Sequence, residues 1–151
     1  IAIDSKKGLV VPVIHRVQTK SIIDIAHEIA HFQKLAESGS FNENQLKGGT
    51  FTLSNIGSIG GTYAVPVLVT PQVVIGAFGR LDVQPKYVNK HNNKATLKDI
   101  QHGDVNLKPV AVMHVSWSAD HRVIDGATIA KFSNLWKSYI EHPEKLLTQL
   151  K

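Results

Sequence analysis

WSADHRVIDGA, residues 117–127, decides how this chain is read, because it sets His121 and Asp125 four residues apart in a turn between an apolar run and an amphipathic segment. Upstream, residues 110–115 (VAVMHV) read as a buried strand. Downstream, Ile129, Phe132, Leu135, Trp136, Tyr139 and Ile140 recur at the spacing of one helix face. The histidine therefore stands where a strand hands over to a helix. In α/β folds, ligands tend to be held at the carboxyl ends of strands by loops fixed to a rigid scaffold.

Working outward, 151 residues with 42% hydrophobic and 19% charged side chains suit one globular domain with one core. No run of about 18 apolar residues is present to span a membrane, and no signal or transit segment is recognisable. The chain opens on IAID, in the middle of a strand-like run, and reads as a piece of something longer. The absence of cysteine excludes disulfides, zinc–thiolate sites and a cysteine nucleophile together. A net charge of +5 raises nucleic acid as a partner, but the 17 Lys and Arg are scattered, with only Lys6 and Lys7 adjacent. A surface that favours an anionic ligand such as a nucleotide-bearing cofactor is the milder reading.

Residues 1–3 and 8–14 read as an extended pair joined by the turn DSKKG at 4–8. Ser21 is a helix N-cap with Asp24 three residues on; Ile22, Ile25, Ala26, Ile29 and Ala36 then line one face until Gly39 ends the helix. Gln33 falls on that apolar face, where an amide needs a partner in the core or on a ligand. In 48–57 (GGTFTLSNIG), Phe51 and Leu53 alternate with Thr50, Thr52 and Ser54, as in a short strand that runs into Gly57, Gly60 and Gly61. Residues 73–78 (VVIGAF) form a second buried strand closed by Gly79. From Arg80 to Pro109 the pattern dissolves into polar residues, so about 82–109 reads as a long surface loop, an insertion. After the central motif the helix runs from about 127 to 141, Pro143 ends it, and 144–150 adds a last turn or two.

Three further patterns compete for a function. The glycines at 57–61 lack both the GK[ST] ending of a phosphate loop and the GxGxxG spacing, so their expected role is a close backbone approach to a ligand arm or another chain. His27-Glu28-Ile-Ala-His31 spells the HExxH of zinc peptidases. With Ile22 at the centre of the apolar face, however, both histidines fall on the opposite, solvated side, and the sequence offers no third ligand at the family spacing. His114 reads as a core residue of its strand, and His91 and His102 as exposed. For His121 and Asp125 the plain alternative is that Asp125 only caps the helix and His121 is an exposed loop histidine.

The strings SWSADHRVIDGA at 116–127, GGTFTLSNIGSIGGTYAVP at 48–66 and FSNLWKSYIEHPEKLL at 132–147 resemble the catalytic domain of the dihydrolipoyl acyltransferases of 2-oxo-acid dehydrogenase complexes, the branched-chain members most of all. The resemblance covers nearly the whole chain, 1–151, except for 82–109, which is longer than the family leads one to expect. It implies an α/β (α+β) fold like that of chloramphenicol acetyltransferase, a mixed sheet with helices, with the N-terminal part of the domain absent. Trimers would build a hollow cubic or dodecahedral core, each active site lying between two subunits.

By motif position, the resemblance makes His121 the general base, Asp125 its partner, and Ser54 the hydroxyl that donates to the oxyanion from the neighbouring chain. Asp4, Gln33, Ser54, Asn55, Gly79 and Leu81 fall at positions that line the family's coenzyme A channel. The implied reaction moves a branched-chain acyl group between dihydrolipoamide and coenzyme A, with the lipoyl group on a separate domain and no metal. The implied partners are further copies of the chain, the lipoyl domain, and the decarboxylase and dihydrolipoyl dehydrogenase subunits, with no nucleic acid and no membrane. The implied setting is the mitochondrial matrix, or the cytoplasm in a bacterium. The alternatives are an inactive core scaffold and, more remotely, a zinc peptidase through His27, Glu28 and His31.

Overall fold

The computed structural model describes residues 1–149. In chain order it forms β1 (Ile3–Ser5), β2 (Gly8–Val10), α1 (Ile22–Ser38), β3 (Thr52–Asn55), β4 (Val74–Asn89), α2 (Leu97–Gln101), β5 (Val105–Ala119) and α3 (Gly126–Glu141). Short 3₁₀ turns lie at Val17–Thr19, Glu43–Gln45, Gly57–Ile59 and Pro143–Thr148. β1 and β2 pair antiparallel, Ile3 with Val10 and Ser5 with Gly8, while β3, β4 and β5 form a sheet in that order. Strands and helices are mixed, as expected of an α/β (α+β) chain. The expected extra turn at 144–150 is present through Thr148; Leu150 lies outside the described residues.

The chain divides into two compact units. The first comprises Ile1–Asn55, Val65–Ala77 and the chain from Ser116 onward; the second comprises Ile56–Ala64 and Phe78–Val115. β4 and β5, at 16 and 15 residues, contribute to both.

In the first unit, α1 begins and ends where local chemistry dictates. The Ser21 side chain accepts from the Asp24 amide while the Asp24 carboxylate accepts from the Ser21 amide, and Gly39 closes the helix with a left-handed φ of 67°. The buried side of the helix carries Phe32 and Ala36, with Ile25 and Ile29 half-buried, whereas Ile22 is 62% exposed and Gln33 is exposed. The reading that set Gln33 on a buried face is therefore corrected. At 100° per residue the buried side is centred about 50° round from Ile22, nearer Ile25 and Ala36. The Gln33 amide meets solvent and needs no buried partner.

β3 likewise presents its polar face inward. Thr52 is 1% exposed and its hydroxyl donates to Gln72 Oε1 at 2.7 Å, while Leu53 is 37% exposed. A buried hydroxyl is tolerated because it is satisfied. Phe51 meets Trp117 and Phe132 at ring separations of 6.1 and 5.8 Å, and Trp117 lies edge-on to Phe132 and Trp136 at 5.3 and 5.8 Å. Trp117 Nε1 also donates to Ser133 Oγ at 3.0 Å, so its ring contacts with Phe132 and Trp136 and its polar handle tie β5 to α3.

In the second unit, the expectation of a surface loop over 82–109 is corrected. β4 continues through Asn89, β5 begins at Val105, and α2 occupies 97–101, which leaves only 90–96 and 102–104 outside regular elements. Thr96 and Asp99 form a capping box at the start of α2. Val88 is buried, but the apolar positions Leu81, Val83 and Tyr87 are 70, 75 and 56% exposed. The glycine-rich turn packs on the chain's own strand. Ile56 N donates to Phe78 O at 3.0 Å, Arg80 N donates to Gly61 O at 2.8 Å, and a Cβ on Gly57 would stand 2.6 Å from the Gly79 carbonyl. His114 is half-buried, with its ring against Tyr63 at 4.9 Å, and His91 and His102 are exposed.

Candidate active site

The turn that carries His121 is tied down on both sides. Asp120 N donates to Val73 O at 2.9 Å, which fixes the end of β5 to the residue before β4. The Asp120 carbonyl accepts from Val123 N at 3.0 Å and Ile124 N at 2.9 Å, folding the turn back on itself. Its carboxylate accepts from Arg122 N at 3.0 Å, from Arg122 Nε at 2.9 and 3.1 Å, and from Nη2 at 2.6 Å. These bonds to Arg122, side chain first and then backbone, hold the Asp120 carboxyl down at about 2 and raise the guanidinium above its ordinary value.

Asp125 is the N-cap of α3. Its Oδ1 accepts from Thr128 N at 2.6 Å, and that bond is the main reason its pKa is lowered; the charge of nearby His121 acts in the same direction. The structure thus leaves His121 near Asp125, whose carboxylate is engaged on the helix terminus. His121, Arg122 and Val123 are exposed.

The other residues singled out by the sequence are distributed as follows. Ser54 is half-buried on β3, bridged in parallel to Ala2, and Ala2 N donates to Leu53 O at 2.8 Å, so the strand containing Asp4 starts alongside β3. Asp4, paired with Leu9, and Asn55 are exposed, as is Gln33 on α1, which packs against β1. In the second unit, Leu81 is exposed, while the space beside Gly79 is filled by Thr62, whose carbonyl oxygen would stand 2.3 Å from a Cβ. A cleft of about 720 Å³ in the first unit is lined by Val13, Ile14, Val17, Ile25, Phe51 and Phe132 among others; His121, Asp125 and Ser54 do not line it.

His27 and His31 point outward on α1, and Glu28 is ion-paired with Lys20. Among the described residues, no group of three His, Cys, Asp or Glu side chains is gathered closely enough to hold a metal ion. Sequence reasoning missed Asp120 and Arg122. Their signal was the acid and base on either side of His121, two residues apart, a spacing that a tight turn closes into an ion pair.

The family model described as 2-oxoacid dehydrogenases acyltransferase (catalytic domain) matches residues 1–148. The lipoamide acyltransferase component of the branched-chain alpha-keto acid dehydrogenase complex of Bos taurus, described as mitochondrial, is 50% identical over 151 residues, which is 100% of this chain and 28% of that protein. The dihydrolipoamide acetyltransferase of Azotobacter vinelandii, whose structure was determined to investigate a serine, a histidine and an asparagine in its catalytic mechanism, superposes with a TM-score of 0.81 at 32% identity, covering 97% of this chain and 54% of that one. The cubic core of the pyruvate dehydrogenase multienzyme complex gives a TM-score of 0.81 at 31% identity over the same shares. The chain therefore spans little more than a quarter of its bovine relative and about half of the solved domains. With the match running through both units and the His121 turn, the chain belongs to the 2-oxoacid dehydrogenase acyltransferase family, as part of the catalytic domain.

Proposed function

We propose that this chain contributes the catalytic centre of a dihydrolipoamide acyltransferase, with His121 as general base, Ser54 as oxyanion donor and Asp125 holding the turn and the imidazole. The observation that carries this reading is the spacing of the turn. In the A. vinelandii enzyme the histidine and the asparagine under study are four positions apart, and His121 and Asp125 repeat that spacing with aspartate in place of asparagine. The serine and histidine are 52 positions apart there, against 67 between Ser54 and His121, so this chain carries 15 more residues between them. That surplus agrees with the extended β4–α2–β5 region.

The reaction is attack of a thiol on a thioester. A free thiol and a free imidazole differ by about 2 pKa units, so complete proton transfer before attack would be uphill by about 2.7 kcal/mol. Deprotonation accompanies attack, and the base must stand ready at the sulfur. The tetrahedral intermediate bears an oxyanion for the Ser54 hydroxyl. The acyl group passes directly between two bound thiols, so no nucleophile from the chain is needed, in keeping with the absence of cysteine.

Asp4, Gln33, Ser54, Asn55 and Leu81 line the coenzyme A channel in this reading; Gly79 acts by admitting the Thr62 backbone. Identity to the bovine protein favours a branched-chain acyl group and the mitochondrial matrix. Likeness to a cubic core favours trimers that assemble further, with Ser54 supplied by a neighbouring copy. The lipoyl group arrives on a separate domain, and the decarboxylase and dihydrolipoyl dehydrogenase are partners. The test is acyl transfer from isobutyryl-, isovaleryl- and acetyl-coenzyme A to dihydrolipoamide by the full-length protein and its His121→Ala variant. Loss of transfer in an assembled variant is expected, and wild-type turnover would end this reading.

A second reading, an inactive scaffold, is favoured by one observation: the Asp125 carboxylate is already taken by Thr128 N. Absence of turnover in an assembled wild-type protein would select it.

A further inference from the structure

The residues on either side of His121 are bound to each other. Arg122 is 89% exposed and Asp120 16%, so the guanidinium sits in water while its partner is mostly shielded. An ion pair with an exposed member typically contributes only modestly to stability. Its geometry says more. A planar guanidinium that meets both oxygens of one carboxylate fixes orientation as well as distance, which a lysine cannot do. The same carboxylate also takes the Arg122 main-chain N–H, and the Asp120 main chain is held by Val73, Val123 and Ile124. The backbone on both sides of His121 is thereby set, while Asp125 anchors the far end of the turn to α3.

We propose that Asp120 and Arg122 are positioning residues for acyl transfer: their ion pair holds the turn so that the His121 imidazole meets the attacking thiol in one orientation. This rests on the reading of His121 as the base. Neither residue touches the reacting atoms. Their effect is on the fraction of bound complexes in a reactive geometry, so it falls on kcat and not on KM. Small misplacements of a catalytic group cost up to about a hundredfold in rate. Asp120→Asn keeps the shape and one acceptor oxygen but removes the charge that holds the fork; Arg122→Gln removes the fork and keeps the main-chain bond.

The experiment is steady-state kinetics on the full-length assembled protein, for wild type, Asp120→Asn, Arg122→Gln, Arg122→Lys, the double variant and His121→Ala, with thermal midpoints and oligomeric state for each. The expected result is a fall in kcat of about ten- to a hundredfold for Asp120→Asn and for Arg122→Gln. KM for coenzyme A and dihydrolipoamide should move less than about twofold, and the double variant should be no worse than the poorer single one. Arg122→Lys should recover part of the loss. Wild-type kcat in Asp120→Asn alongside a dead His121→Ala would overturn the positioning role and leave the base reading intact, whereas turnover in His121→Ala would remove the base reading itself. A raised KM for coenzyme A with unchanged kcat in Arg122→Gln would make Arg122 a substrate contact and overturn the proposal. Losses that track a lower thermal midpoint or a broken assembly in both single variants would do the same.

Discussion

Trp117 lies directly on Gly76: a Cβ built on Gly76 would stand 2.3 Å from Cζ3 of the indole. β4 is bare at this point, and the largest side chain of β5 occupies the space. The indole is also wedged between Phe51, Phe132 and Trp136, so it has nowhere to retreat. Gly76→Ala is therefore expected to destabilise the protein by about 1 to 3 kcal/mol through overpacking, read as a lower thermal midpoint. Gly126→Ala, where nothing lies within 4 Å of the added Cβ, serves as the control and should leave the midpoint near that of wild type.

Loss of one oxyanion donor usually lowers the rate a hundred- to a thousandfold. Ser54→Ala should show that fall in kcat, with KM for coenzyme A changed much less. A rise in KM at constant kcat would mark Ser54 as a binding group only.

Asp125 has two duties that separate experimentally. Asp125→Asn retains an oxygen to accept the Thr128 N–H bond but removes the charge near His121. It should keep the thermal midpoint close to wild type while lowering kcat, whereas Asp125→Ala should lower both. Identical activities for the two variants, with only the midpoint differing, would reduce Asp125 to a cap.

Four carboxyls, those of Asp24, Asp99, Asp120 and Asp125, have their pKa values lowered by hydrogen bonds to their own turns. A folded-state pKa below the unfolded one contributes stability that is present above the unfolded value and is lost as pH falls through the folded one. For Asp120 that window runs from about 3.8 down to about 2. Thermal midpoints measured between pH 5 and 2 should fall, and Asp120→Asn should flatten the lower part of the curve. An unchanged slope in that variant would remove Asp120 from the account.

The Thr52 hydroxyl and the Gln72 amide satisfy each other beside the core. Thr52→Val strands the amide oxygen and should cost about 1 to 3 kcal/mol. Thr52→Val with Gln72→Leu should recover most of it in chemical denaturation.

Legibility followed the range of the interactions. The ends of α1 were plain in Ser21, Asp24 and Gly39 because a cap is made within one turn of chain, and α3 with its Asp125 cap was plain for the same reason. The side of α1 that faces inward was not, because a shift of about 50° separates Ile22 from the buried centre, and only contacts with distant segments set it. The β4–β5 extension reads as a loop in sequence although Leu81, Val83 and Tyr87 alternate with polar residues and Thr96 precedes Asp99 by the spacing of a capping box. Lysines, asparagines and two prolines in between hid the period. At the site, His121, Asp125 and Ser54 were visible as residue types in long motifs, whereas the Asp120–Arg122 pair becomes visible only once the turn closes.

The Thr52–Gln72 bond also bears on how the sheet finds its correct alignment. Side chains on a strand alternate between faces, so a slide of β3 by one residue would bring Leu53 inward and carry the hydroxyl to the opposite side. Hydrocarbon alone would resist that slide weakly, since Phe51 and Leu53 are both large and both partly exposed. A single polar match, possible in one pairing and missing in the next, works as a key: it leaves the misthreaded strand with a stranded amide and so steers folding toward the one arrangement that sets Ser54 at its place.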